Sequence, residues 1–159
     1  MDRLWSPWRY QYVSTPSPTT GCIFCIKSSE QRDPENYIVH RGVGCFVILN
    51  IYPYSTGHLM VAPYEHVGTL EALSEPVAAE IMQLTRTAGA HLNRIYRPQG
   101  LNLGMNIGEA AGAGVPGHVH MHVLPRWFGD TNFMTTVAEK RVLPEGLDVT
   151  YEKLKKAFE

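Results

Sequence analysis

The sequence predicts an α+β fold, with an antiparallel sheet of about five short strands covered on one face by a single long helix. Two observations carry this. Short runs of β-branched, aromatic and alternating apolar residues are separated by turns rich in Gly and Pro, and one stretch only, 74–96, has apolar residues at helical spacing. A one-sided helix needs a sheet to cover, which makes two layers. At 159 residues the chain suffices for one core, so it reads as a single domain over 1–159: an extended arm (1–21), a core (22–126) and a C-terminal extension (127–159).

In the arm, Pro7, Pro16 and Pro18 oppose regular structure, while Trp5, Trp8, Tyr10 and Tyr12 favour packing on the body or on a partner subunit. The polar segment 28–36 reads as surface loop. Strands are expected at 37–40 and 45–49 about a turn marked by Gly42 and Gly44, and at 57–62, closed by Pro63. This order suggests a meander. Ser74 can cap the helix, Pro76 fits its first turn, and Val77, Ile81, Leu84, Ala88, Leu92 and Ile95 form its stripe. Strands at 101–107 and 118–124 follow, joined by the Gly- and Ala-rich loop 108–117, with Pro125 ending the last. A short helix is expected at 150–158.

Fourteen Lys and Arg against fifteen Asp and Glu give a net charge of -1, so no long-range field draws the protein to a nucleic-acid polymer or an anionic membrane. The N-terminus lacks the apolar core of a signal peptide and no run reaches transmembrane length, which reads as a cytoplasmic protein. Three cysteines are too few for a disulfide scaffold. Cys22-x-x-Cys25 reads as a metal or redox pair, and Cys45 as a small buried hydrophobe.

The chemistry is concentrated at Gly117-His118-Val119-His120-Met121-His122-Val123. Side chains alternate along a strand, so His118, His120 and His122 face one side and Val119, Met121 and Val123 the other. Three imidazoles on one face beside a glycine-rich loop suggest catalysis. A zinc with three nitrogen ligands is a rival, since same-face neighbours stand roughly 6.6 Å apart before twist and rotamers narrow the gap. A surface histidine ladder is the bland alternative.

The His-φ-His-φ-His-φ-φ pattern at 118–124 resembles the signature of the histidine triad superfamily of nucleotidyl hydrolases and transferases. Asn50, Gly57-His58-Leu59-Met60-Val61-Ala62-Pro63 and Asn106-x-Gly108 occur in that family's order, so the resemblance covers roughly 20–126. It implies double displacement: His120 attacks the α-phosphorus of a nucleotide or dinucleoside polyphosphate, and a second acceptor resolves the nucleotidyl-histidine. Neutral imidazole suits that role, provided that the opposite ring nitrogen has a fixed partner, expected to be a backbone carbonyl. His122 is placed to hydrogen-bond the phosphate or the leaving oxygen, and His58 matches another histidine lining the phosphate site. Asn50 resembles the residue that reaches the ribose, and Ile26, Phe46 and Leu49 are candidates for a base pocket. The loop glycines, among them Gly112 and Gly114, can bring backbone N–H groups to phosphate oxygens. Relatives commonly offer a Ser, Thr or Gln here. This chain has Ala113, Gly114 and Val115 instead, which leaves the role to backbone amides or to Asn106.

The same resemblance implies one structural zinc per chain, held by Cys22, Cys25, His66 and His118, and no organic cofactor; His118 then orients the strand. The Leu4-Trp5-Ser6-Pro7-Trp8-Arg9 arm and the stretch from Pro125 to Met134 look like the branch that includes bacterial diadenosine-tetraphosphate phosphorylases, for which inorganic phosphate is the second acceptor. Arg126 and Asn132 are candidates to bind it. Hydrolysis of dinucleoside polyphosphates or adenylyl-phosphoramidates is the alternative, and nucleotide binding without turnover a third. Relatives are commonly homodimers.

Overall fold

The computed structural model describes residues 21–131 and 143–159; the N-terminal arm and Asn132 lie outside them. The chain enters through helix α1 (Ile23–Ser29) and the single turn α2 (Asp33–Asn36). Both fall in or beside the segment expected to be loop. The start signal there was Pro34 in the first turn, with acidic Asp33 and Glu35 at its positive end. Arg41 ties these turns to the sheet: its guanidinium donates to the Asp33 carboxylate (2.7 Å) and to the carbonyls of Ser28 and Glu30.

Strands β1 (Ile38–Arg41), β2 (Cys45–Leu49) and β3 (Leu59–Pro63) follow as an antiparallel meander. The turn before β3 needs Gly57, whose φ is +80° and where a Cβ would stand 3.0 Å from Leu92 Cδ2. Helix α3 (Glu75–Tyr96) then crosses the sheet, burying Val77, Ile81, Leu84, Ala88 and Leu92. Ser74 stands at its N-cap without a side-chain capping bond.

Beyond α3 the meander expectation fails. The sheet order is β1-β2-β3-β5-β4: the helix carries the chain to the far edge for β4 (Gly100–Gly104), and β5 (Met121–Arg126) returns between β4 and β3. Boundaries move as well, and β4 ends at Gly104 rather than at 107. β5 begins at Met121, because its last partner on β3 is Val61, and the chain from His118 to His120 turns away to the loop at Val67, whose carbonyl accepts from the Val119 N–H (2.7 Å). β5 also runs through Pro125, opposite Leu101, where β3 no longer reaches and a missing N–H costs no ladder bond on that side. Helix α4 (Leu147–Phe158) packs Tyr151 and Leu154 into the α3-side core.

The sheet has two apolar faces. Val47, Leu49, Leu59, Val61 and Val123 meet α3; Phe46, Ile48, Met60 and Ala62 meet Phe24 of α1. Met60 pairs with His122 across the ladder, so the histidines share the second face. No helix among the described residues is long and apolar enough to cross a membrane.

Candidate active site

On the approach to β5 and within it, His118, His120 and His122 lie on the α1 side, where they are 0%, 4% and 9% exposed. Phe24 explains the burial: its ring centroid lies 5.1 Å from that of His118 and 4.8 Å from that of His120. Sequence reasoning missed Phe24, since one aromatic on a short helix carries no sign of which strand it covers.

Backbone groups fix the protons. The Tyr54 N–H can only donate, and it lies 3.1 Å from His58 Nδ1, which is therefore an acceptor. The His58 proton must then sit on Nε2, which donates to His122 Nδ1 at 2.9 Å. Neutral His122 in turn carries its proton on Nε2. The carbonyl of His118 can only accept, so His120 Nδ1–H donates to it (2.8 Å), and the Nε2 lone pair of His120 is left available. His120 and His122 rings stand 4.8 Å apart in a T arrangement.

Burial holds these rings neutral. It lowers the pKa of His120, against the contrary pull of the His118 carbonyl. In His122, burial and then the neighbouring His120 bring it down to about 4. A histidine whose folded pKa lies below its unfolded value, about 6.5, binds fewer protons when folded between the two values. Its stabilising contribution is complete above pH 6.5 and is lost as the pH falls toward 4. Denaturant midpoints should thus decline from pH 6.5 to 4.5 in the wild type, and decline less in His122→Asn; parallel curves would refute the assignment.

The other expected site residues fare unequally. Asn50 is buried beside His58: its Oδ1 accepts from the Tyr52 N–H (2.9 Å), which turns Nδ2 toward His58 Nδ1 (3.4 Å). Asn106 is half-buried just beyond β4, two residues past the last ladder pair, Gly104 with His122. The Gly112 N–H closes its own turn at the Glu109 carbonyl (2.9 Å), while Gly114 is exposed. Leu49 faces α3, away from the histidines, whereas Phe46 lies on their face and Ile26 is exposed. Arg126 is engaged: Nε and Nη2 donate to Asp130 (2.5 and 2.8 Å) and Nη1 to Asn102 Oδ1 (2.6 Å).

Beside the triad, Cys22, Cys25, His66 and His118 bring their ligating atoms within 4.8 Å of one another. His118 Nδ1 lies 3.3 Å from Cys22 Sγ and 3.6 Å from Cys25 Sγ, and His66 Nδ1 lies 3.3 Å from Cys25 Sγ. Tetrahedral zinc with bonds of about 2.0–2.3 Å sets its ligand atoms about 3.3–3.8 Å apart, and these three separations match edges of that polyhedron. His118 Nε2–H donates to the Pro63 carbonyl (2.9 Å), turning the Nδ1 lone pair toward the thiols as a metal ligand requires. Burial, and then Cys22, push the Cys25 thiol up. A bound cation would reverse that and favour the thiolate.

A HIT domain family model matches residues 31–129. The chain belongs to the HIT family. Among HIT relatives, an AP-4-A phosphorylase of Mycobacterium tuberculosis is 37% identical over 155 residues, covering 91% of this chain and 78% of the relative. An adenosine 5'-monophosphoramidase of Schizosaccharomyces pombe is 33% identical over 106 residues, 67% of this chain and 74% of that one. The zinc-bound histidine triad family protein of Mycobacterium smegmatis superposes with a TM-score of 0.70 at 26% identity, over 87% of this chain and 93% of its own. This HIT protein is thus an enzyme of nucleotide processing with an α+β HIT fold.

Proposed function

We propose that this HIT enzyme transfers a nucleoside monophosphate from a dinucleoside polyphosphate to inorganic phosphate through an adduct on His120, as a diadenosine-tetraphosphate phosphorylase. The observation that carries the reading is the proton arrangement, with the lone pair of His120 Nε2 available beside the donor His122 Nε2–H. The 37% identity to the mycobacterial AP-4-A phosphorylase supports the choice of substrate and acceptor.

In this scheme His120 Nε2 attacks the α-phosphorus, a P–N bond forms, and the P–O bond to the polyphosphate breaks with its electron pair on oxygen. The polyphosphate leaves as a stable anion, so His122 need only donate a hydrogen bond to the charge that develops. The His118 carbonyl, accepting from Nδ1–H, steadies the positive charge on the His120 ring. A phosphate oxygen then attacks phosphorus, the P–N bond breaks, and its pair returns to Nε2. Diadenosine tetraphosphate would give ATP in the first step and ADP in the second.

Zinc, where bound, supplies structural cross-linking and no step of the reaction: Cys22 and Cys25 bring the start of α1, and His66 and His118 the approach to β5. We extend the reading to a cytoplasmic homodimer, for which the exposed β4 edge, with Leu103 54% exposed, is the candidate seam.

The deciding experiment incubates the enzyme with diadenosine tetraphosphate, with and without phosphate. ADP plus ATP formed only with phosphate is the expected result. AMP plus ATP would instead establish a hydrolase, toward which the likeness to the phosphoramidase points. Absence of products would leave a binding protein.

A further inference from the structure

Next to the triad lies a second cavity, of about 570 Å³, between the β2–β3 turn, the end of α3 and the segment after β5. Tyr54 belongs to both places. It lines the cavity, and its ring centroid stands 4.8 Å from that of His58 and 6.1 Å from that of His122. Tyr96, Trp127 and Phe128 supply further aromatic wall. Phe128 is 91% exposed, an uncommon setting for a ring held in place.

It is held firmly. Arg126 clamps Asp130 and Asn102, the Asp130 N–H closes a turn on the Trp127 carbonyl (3.2 Å), and the Phe128 N–H donates to Gln99 Oε1 (3.1 Å). The clamp presents the aromatic turn to the cavity. Ser55 and Thr56 also stand in its wall, with their hydroxyls shielded from solvent.

Charge narrows the ligand. No cationic side chain lines the cavity among the described residues, and its carboxylates, Asp130 and Glu145, are bonded to Arg126 and to Tyr96, Thr150 and Lys153. Such walls offer free phosphate no unpaired cation. They suit a neutral heteroaromatic ring stacked on aromatic side chains. We infer that this cavity receives the second nucleoside of the dinucleoside polyphosphate, the half that leaves with the polyphosphate, and that Phe128 contacts it. The inference rests on the function proposed above.

The test measures equilibrium binding in the His120→Ala protein, where turnover cannot intervene. Diadenosine tetraphosphate is compared with adenosine 5'-tetraphosphate, which keeps one nucleoside and four phosphates but lacks the second nucleoside. Diadenosine tetraphosphate should bind more tightly. Adding Phe128→Ala should weaken it about tenfold, the scale of one stacking partner, with adenosine 5'-tetraphosphate unchanged and thermal stability preserved. Equal loss for both ligands, equal affinity in the parent, or no loss for diadenosine tetraphosphate would overturn the second-nucleoside site while leaving the proposed function standing. If the parent binds neither nucleotide, the proposed function fails and this inference with it.

Discussion

Replacing His120 by alanine should lower the turnover of diadenosine tetraphosphate by at least about 10⁴-fold, the scale of removing a nucleophile from a catalytic unit, while fold and nucleotide binding persist. The ring is 4% exposed, and its hydrogen bond among the described residues runs to the carbonyl two residues before it. Alanine leaves that carbonyl at the rim of a polar site, where water can replace the lost donor. No neighbour can substitute as nucleophile by a small shift. His118 has Nε2 bonded to the Pro63 carbonyl and Nδ1 among the thiols. In the tautomer derived for His122, Nε2 carries its proton and Nδ1 accepts from His58. Steady-state rates, with a thermal melt and a nucleotide titration on the same protein, check the expectation. Turnover near the wild-type rate would remove His120 from the chemistry.

The second large effect is on stability. Protein purified without chelator should carry about one zinc per chain, and Cys22→Ser with Cys25→Ser should abolish that content. A ligand present at a thousandfold its dissociation constant contributes about 4 kcal/mol, which for a chain of this size lowers the melting temperature by about 10 °C when it is lost. The site joins α1 to the residues preceding β5, and Phe24 of α1 covers His118 and His120. Metal loss should accordingly depress activity as well, and readdition of zinc should restore both in the wild type but not in the double variant. Metal-free wild type with an unchanged melt would exclude the site.

Much of this was legible along the chain. The α3 stripe and the first three strands follow from local periodicity, because burying one face of a helix or strand imposes its repeat on the sequence. The alternation of His118, His120 and His122 opposite Val119, Met121 and Val123 is equally local. Other features are pairings between distant segments and left no such mark. The insertion of β5 between β3 and β4 depends on where α3 delivers the chain, and Pro125 is tolerated in a strand because β3 has ended beside it. That Asp130 and Asn102 hold Arg126 could not be read along the chain. Nor could the turn that the Gly112 N–H closes.

By itself, then, the sequence determined which residues are the candidates for the chemistry and that they share one face, since both are set by residue type and a two-residue period. Only the tertiary structure decided where their protons sit. That depends on a Tyr54 N–H, a His118 carbonyl and a Pro63 carbonyl, groups that nearly every residue possesses and that acquire a direction only once the chain has folded around them.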